Sequence, residues 1–179
     1  MRIISGKYKS RRISAPSKLP VRPTTDMAKE ALFNILNNRY YFDEVAFLDL
    51  FAGTGNISYE FASRGCEKIT AVDGDFGCVQ FVSKTAAELD LDITALKSDV
   101  FSFLEKTVIK SDIIFADPPY DMPLEDFERL PELVFEKDLL LKDGILIIEH
   151  AKQTDLSHLS NFVNKRKYGG SVFSFFELP

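Results

Sequence analysis

The chain has 179 residues, 45% of them hydrophobic and 27% charged, with a formal net charge of −5. That size suits one domain with a substantial core, and the composition is that of a soluble globular protein rather than a disordered or fibrous one. No apolar run is long enough to cross a bilayer, the first residues lack the apolar core of a signal peptide, and Cys66 and Cys78 are too few and too badly spaced for a metal site or a disulfide framework. The expected setting is therefore the cytoplasm, with both thiols in the core.

Charge is unevenly spread. Residues 1–22 hold Arg2, Lys7, Lys9, Arg11, Arg12, Lys18 and Arg22 and no acid, which leaves fifteen basic residues against all 27 acidic ones in the rest. The spacing predicts a basic N-terminal arm or hairpin over 1–22, turning near Gly6, ahead of a folded domain over 23–179. A basic arm on an acidic body suits an anionic partner. The proline-rich stretch "APSKLPVRPTT" reads as a linker. Thr24, Thr25 and Asp26 then look like a helix start, with Ala28, Ala31, Leu32, Ile35 and Leu36 following at helical spacing.

From Val45 the pattern changes to alternating strands and helices. Near-continuous apolar runs at 45–50, 68–73, 92–99, 112–117 and 144–150 read as strands covered on both faces. Helical patterns fill 56–65, 76–89 and 100–108, and a further helix lies within 124–138. Gly65 is placed to end the first of these as its C′ residue. Residues 162–168 and 171–178, separated by Gly169-Gly170, read as a closing hairpin. Strand–helix alternation over about a hundred residues predicts an α/β fold with a mostly parallel, doubly wound sheet, helices on both faces and antiparallel character at one edge. Ligands of such sheets sit outside the carboxyl ends of the strands. That rule brings together the loop after Leu50, Asp73, and the loop after Ala116.

The loop "LDLFAGTGN" passes from strand to helix through Gly53 and Gly55, which allow a tight turn and close approach of a ligand. Asp73 ends the next strand and can accept from both hydroxyls of a ribose. Asp99 ends the third and could accept from an adenine amino group. A dinucleotide usually calls for a third glycine where this chain has Ser58. S-adenosylmethionine has no phosphate to cradle, and two glycines with two acids suit it better.

The stretch "SDIIFADPPYD" ends a buried strand with an aspartate, two prolines and a tyrosine. Exocyclic amines of bases are weak nucleophiles because their lone pair is delocalised into the ring. Methylating one requires the amine to be held in line with the methyl donor, acceptors on its two hydrogens, and a clamped ring. The Asp117 carboxylate and the Pro118 carbonyl can accept those hydrogens, Pro118 and Pro119 stiffen the loop, and Tyr120 can stack on an unstacked base. His150 and His158 are the only histidines. His150 ends a strand near the crevice, where a proton role is open to it beside the plainer one of a polar strand end.

Together "LDLFAGTGN", Asp73, "SDVFSFL" and "DPPY" resemble the class I S-adenosylmethionine-dependent amino-methyltransferases. "RIISGKYKSRRI", "RPTTDMAKEALFNIL", "LIIEH" and "KYGGS" narrow the resemblance to the bacterial small-subunit (16S) ribosomal RNA guanine-N2 methyltransferases. The chain departs from that family in carrying Asp73 where members often have Glu, and Met27 where they often have Arg. The resemblance implies a Rossmann-like, seven-stranded methyltransferase sheet with a C-terminal antiparallel hairpin, and transfer of one methyl to the N2 amine of a guanine in ribosomal RNA. It implies that Phe51, Gly53, Gly55, Asp73, Asp99 and Val100 hold S-adenosyl-L-methionine, and that Asp117, Pro118, Pro119 and Tyr120 hold the base. Lys7, Lys9, Arg11, Arg12 and Arg22 would meet ribosomal RNA, expected within a small-subunit particle, and no obligate protein partner is evident. The same chemistry on DNA, at adenine N6 or cytosine N4, is the nearest alternative. An RNA-binding assembly factor without turnover is an alternative of another class, and a dehydrogenase is a distant third.

Overall fold

The structure is a computed structural model that describes residues 1–179. Five helices and seven strands follow one another in the chain: α1 Asp26–Asn37, β1 Ala46–Leu50, α2 Asn56–Ser63, β2 Lys68–Asp73, α3 Phe76–Glu88, β3 Ile93–Lys97, α4 Val100–Lys106, β4 Ser111–Ala116, α5 Leu124–Glu136, β5 Leu140–Ala151, β6 Phe162–Tyr168 and β7 Ser171–Phe176. The strands form one sheet in the order β3-β2-β1-β4-β5-β7-β6. β1 to β5 run parallel to one another, and β7 runs antiparallel to both β5 and β6. The chain winds outward from β1 through β2 to β3, then returns to β4 on the other side. That reversal opens a crevice between the carboxyl ends of β1 and β4.

Local chemistry starts the helices where the chain leaves the sheet. The Thr25 side chain accepts from the Ala28 amide to cap α1, Asp75 accepts from Cys78 to cap α3, and Asp99 accepts from Ser102 to cap α4. α2 begins differently. Gly55 precedes it at φ 83° and has no side chain with which to cap the helix. Arg64 follows α2, and Gly65 next to it has φ 105°, the left-handed C′ position expected of it.

Two apolar layers sandwich the sheet. Leu32, Phe33 and Leu36 of α1 and Ile57 and Phe61 of α2 cover Phe47, Ile113, Ile147 and Phe173 on one face. Leu104 of α4 and Phe127, Leu130 and Val134 of α5 cover Leu48, Ile114, Leu146 and Phe176 on the other. Phe47 and Phe61 stack with centroids 3.8 Å apart, and Phe33 and Phe42 meet the Phe61 ring edge-on. Cys66 and Cys78 are free and buried. Burial pushes the Cys66 thiol up to about 11 and the Cys78 thiol up to about 12, so both stay protonated core groups.

β5 begins four residues earlier than the apolar run at 144–150 indicates. Leu140 pairs with Ser111 before the register shifts between Ser111 and Ile113. The polar stretch Lys142-Asp143 hides this extension in the sequence.

The basic N-terminal segment takes the hairpin form. Arg2 and Arg12 form an antiparallel bridge, and the Ile3 amide donates to the Arg11 carbonyl. Ile3 and Ile13 are buried against Tyr59, Ala71, Val82 and Leu89. The hairpin lies along α2. At its tip the Lys7 amide donates to the Ser63 carbonyl, at the end of α2, and the Tyr8 hydroxyl donates to the Leu89 carbonyl, just past α3. Its open end touches the crevice side, where Thr54 Oγ1 lies 3.9 Å from Met1 Sδ.

An ion pair beneath the hairpin ties these parts together. Lys29 Nζ of α1 lies 3.3 Å from Glu60 Oε2 of α2, with both side chains buried. Lys29 also donates to the Arg2 carbonyl at 2.5 Å and to Asn56 Oδ1 at 2.9 Å. Glu60 accepts from the Ile4 and Ser5 amides at 2.8 and 3.0 Å, and from Arg64 at 2.9 Å. Desolvation lowers the Lys29 pKa, and Glu60 opposes that shift. Removing one member of such a pair strands the other charge. Glu60→Ala should therefore destabilise the fold by about 3–5 kcal/mol and release the hairpin, seen in urea denaturation and as faster tryptic cleavage at Lys7 and Lys9.

Candidate active site

Alternate residues of a strand face opposite sides of a sheet. Phe47, Ile113, Ile145 and Phe173 lie in the layer under α1 and α2. Asp49, Asp117 and Glu149 share their parity, so three carboxylates leave adjacent strands β1, β4 and β5 on that face, at the carboxyl edge. The pairings of Leu50 with Ala116 and of Ala116 with Ile148 bring Asp117 abreast of Glu149. A cavity of about 420 Å³ opens there, within the range of small-molecule sites. Its lining includes Val21, Arg22 and Thr24 of the linker, Asp49, Phe51, Gly53, Asp73, and Asp117 through Tyr120.

At one end the loop after β1 is strongly curved. Phe51, Gly53 and Gly55 have φ of 57°, 56° and 83°. A Cβ on Gly55 would stand 2.8 Å from the Tyr59 ring and 3.0 Å from Val82, and one on Gly53 would stand 3.2 Å from Val21. Asp73 Oδ2 accepts from the Gly53 amide and Oδ1 from the Asp75 amide, both at 2.8 Å. Those two bonds fix the carboxylate while each oxygen keeps a lone pair for a ligand hydroxyl.

At the other end the Asp117 amide donates to the Leu50 carbonyl at 3.3 Å. The Met122 amide closes a turn on the Pro119 carbonyl at 3.0 Å. No protein donor reaches the Asp117 carboxylate or the Pro118 carbonyl, and both residues line the cavity. The Arg22 guanidinium sits 5.6 Å from the Tyr120 ring centroid, a cation–π distance. The Tyr120 hydroxyl meets Ser171 Oγ at 3.2 Å.

Burial and crowding of like charge shape the acids. Asp49 is buried, accepts from Ser58 Oγ at 2.6 Å and is pushed up to about 7, chiefly by desolvation and further by Asp73. Desolvation, then the charges of Glu149 and Asp49, hold Asp117 well above the usual carboxylate range, and Arg22 opposes this. Glu149 is also raised by desolvation, against hydrogen bonds from Thr24 and Ser171. A cavity that crowds carboxylates in this way favours a cationic ligand.

Of the residues singled out from sequence, the structure brings Phe51, Gly53, Asp73, Asp117, Pro118, Pro119, Tyr120 and Arg22 to one cavity, with Gly55 just behind it. It does not bring Asp99 and Val100 there. Asp99 is exposed and spends one oxygen on the α4 cap, and Val100 is buried at the start of that helix. Lys7, Lys9, Arg11 and Arg12 are exposed on the hairpin. Lys7 and Lys9 stand at its tip, by the far end of α2, about 12 Å of helix from the crevice. His150 faces away from the cavity. It is fully buried, with Nδ1–H donating to the Ala151 carbonyl at 2.8 Å and Nε2 accepting from Ser174 at 2.7 Å. Burial lowers its pKa, so it is a neutral core group with no proton role. Sequence reasoning missed Asp49, Thr24, Glu149 and Ser171. The shared strand parity of Asp49, Asp117 and Glu149 was the available signal.

A single reversed strand next to the last, on an otherwise parallel sheet with its cavity at the β1/β4 switch point, defines the class I methyltransferase fold. The fold is similar to that of the Thermus thermophilus 16S rRNA N2 methyltransferase RsmC, solved with AdoMet and guanosine. It matches with a TM-score of 0.70 at 22% identity, over 89% of this chain and 45% of that one. Within this class the chain belongs to the family described as Conserved hypothetical protein 95, whose profile matches residues 1–177. It is 36% identical to YlbH of Bacillus subtilis over 161 residues, 87% of this chain and 85% of that protein. It is 29% identical to ribosomal RNA small subunit methyltransferase D of Escherichia coli K12 over 175 residues, 96% of this chain and 86% of that one.

The Asp49 carboxyl offers a stability test. Its folded pKa lies above its unfolded one, so the folded state holds the proton longer, and this group's contribution to stability falls as pH rises from about 4 to about 7. Asp49→Asn removes that penalty. Relative to the parent it should match at pH 4 and gain up to about 4 kcal/mol at pH 8, measured by denaturant unfolding at both pH values.

Proposed function

We propose that this protein transfers the methyl group of S-adenosylmethionine to the exocyclic N2 amine of a guanine in small-subunit ribosomal RNA. The observation that carries the reading is the pair of free acceptors, the Asp117 carboxylate and the Pro118 carbonyl, facing the same cavity as the glycine loop and Asp73. The ribosomal RNA name of its Escherichia coli relative favours RNA over a DNA amine. Work on ribosomal RNA fits a cytoplasmic protein, and no helix is long and apolar enough to cross a membrane.

The residues suit the cofactor. Side chains at Gly55 and Gly53 would crowd Tyr59, Val82 and Val21, so the loop keeps bare backbone at the edge of the cavity where the cofactor would lie. Asp73 is oriented to take ribose hydroxyls, and the acidic crowd complements a sulfonium and an ammonium group. When bound, S-adenosylmethionine supplies an electrophilic methyl on positively charged sulfur.

The chain's own residues prepare the acceptor. Tyr120, with Arg22 against its ring, forms a face on which the base can stack. Asp117 and Pro118 take the two amine hydrogens, which favours a tetrahedral nitrogen with its lone pair free. As that nitrogen becomes positive, the Asp117 carboxylate stabilises it. Crowding by Glu149 and Asp49 makes the ionised Asp117 a stronger acceptor and a fit group to take the departing proton. The two prolines hold the acceptors still, so the loop needs little reorganisation. Phosphates of the RNA would be met by Arg22 at the mouth and by Lys7, Lys9, Arg11 and Arg12 of the N-terminal hairpin, all within a basic arm over 1–22 that precedes a catalytic domain over 23–179. Because that hairpin also satisfies Glu60, its charge is better tested by substituting the basic side chains than by deleting residues 1–12.

Asp117→Ala should lower single-turnover methyl transfer to small-subunit RNA by on the order of 10²–10³-fold, with the S-adenosylhomocysteine dissociation constant little changed. Mass spectrometry of ribosomal RNA from cells with and without the protein should find one N2-methylguanine lost. A methyl missing instead from another base or position would refute the proposed acceptor.

A further inference from the structure

Glu149 lies outside the cavity lining, yet it joins three separate parts of the chain around it. Its Oε2 accepts from Thr24 Oγ1 at 2.7 Å, and its Oε1 accepts from Ser171 Oγ at 2.7 Å. The Ser171 hydroxyl also meets the Tyr120 hydroxyl at 3.2 Å. With its own proton given to Glu149, Ser171 is left to accept from Tyr120, so the hydrogen-bond direction runs from Tyr120 through Ser171 to Glu149. Thr24 is held a second time, through its carbonyl, by Asn56 Nδ2 at 3.0 Å. Asn56 in turn receives Lys29.

Thr24 ends a strap, residues 18–24, whose last five residues line the cavity. Val21 of that strap lies over Gly53 and Leu19 lies against Gly77. The strap carries Arg22, whose guanidinium faces the Tyr120 ring. The strap and the Asp-Pro-Pro-Tyr loop are therefore the two sides of one opening. Thr24, Glu149 and Ser171 are all buried beneath it.

A buried carboxylate needs a reason to stay, since desolvation disfavours it unless it is well paired. Bulk packing would be served by an apolar residue on this strand, as Ile147 serves two positions earlier. Glu149 instead spends both oxygens on hydroxyls from opposite sides of the opening. Two oxygens at fixed separation hold both hydroxyls at once, which a single polar group cannot do.

From this we infer that Glu149 is a positioning residue that locks the Arg22 strap and the Tyr120 loop into one jaw for the target base. The inference rests on the base-binding reading of the site and assigns a carboxylate outside the cavity to substrate specificity. Glu149 does not touch the methyl donor, so its loss should act on RNA engagement and turnover and spare cofactor affinity.

The test uses the full chain and the variants Glu149→Ala, Glu149→Gln, Thr24→Val and Ser171→Ala. Methyl transfer to small-subunit ribosomal particles gives kcat and KM, and calorimetry gives the S-adenosylhomocysteine dissociation constant. Glu149→Ala should lower kcat/KM by about tenfold or more, the scale of losing buried charged hydrogen bonds, while the cofactor constant stays within about twofold. Glu149→Gln keeps one acceptor and should fall between Ala and the parent. Thr24→Val added to Glu149→Ala should cost nothing further, because the two act through one contact. Parent-like kcat/KM in Glu149→Ala, or loss of cofactor binding in step with activity, would overturn the inference. Trypsin cleavage after Lys18, at the strap's start, is a readout independent of the substrate. It should quicken in Glu149→Ala and Thr24→Val, and unchanged cleavage would also overturn the jaw. Were the parent protein inactive on every ribosomal substrate, the proposed function would fall, and the cleavage rates alone would decide the jaw.

Discussion

Three carboxylates leave neighbouring strands on one face of the sheet, and the site depends on how that crowd is balanced. Asp49, Asp117 and Glu149 are spaced by strand pairing, which no side-chain movement can relax. Each is penalised by burial. Ser58, Thr24 and Ser171 satisfy two of them with hydroxyl donors. Asp117 alone has no donor and is offset only by the Arg22 charge. The free protein thus keeps one acceptor unsatisfied where a positive charge would be welcome. Both a sulfonium donor and a nitrogen losing its lone pair to a methyl group supply such charge.

Balance of this kind requires the strap to stay in place, and that requirement reaches far from the cavity. The Lys29–Glu60 pair receives the backbone of the N-terminal hairpin, and Lys29 passes through Asn56 to the Thr24 carbonyl. The hairpin is thereby part of the machinery that seats Arg22, besides being a basic surface. Its tip, with Lys7 and Lys9, extends the positive surface along α2, while Lys165, Arg166 and Lys167 are exposed on the edge strand β6.

Much of this was legible in the sequence because strands buried on both faces write their boundaries as apolar runs. "KITAVD" matches β2 residue for residue, whereas the exposed edge strand β6, "FVNKRKY", was legible only through the Gly169-Gly170 turn that follows it. "DPPY" and the glycine loop were legible because proline and glycine constrain the backbone itself. What failed to show was long-range contact. Thr24, Glu149 and Ser171 meet across separations of 125 and 22 residues, and nothing in local pattern couples them. Asp99 shows that an acid at a strand end can cap the next helix as well as face a ligand, since the α4 cap uses only one of its oxygens. The limits of α5 were blurred by Pro131 inside the helix and by Pro123 at its start, which offers no capping side chain. His150 was ambiguous because adjacent strand residues face opposite ways, and only the register tells which side holds the cavity.

The most direct test is a crystal structure of the protein with S-adenosylhomocysteine and guanosine, read at one nitrogen. The account predicts the guanine N2 within about 3.2 Å of both the Asp117 carboxylate and the Pro118 carbonyl, with the ring against Tyr120. A base bound with its amine turned to solvent, or seated with Asp117 more than about 5 Å from that nitrogen, would contradict it.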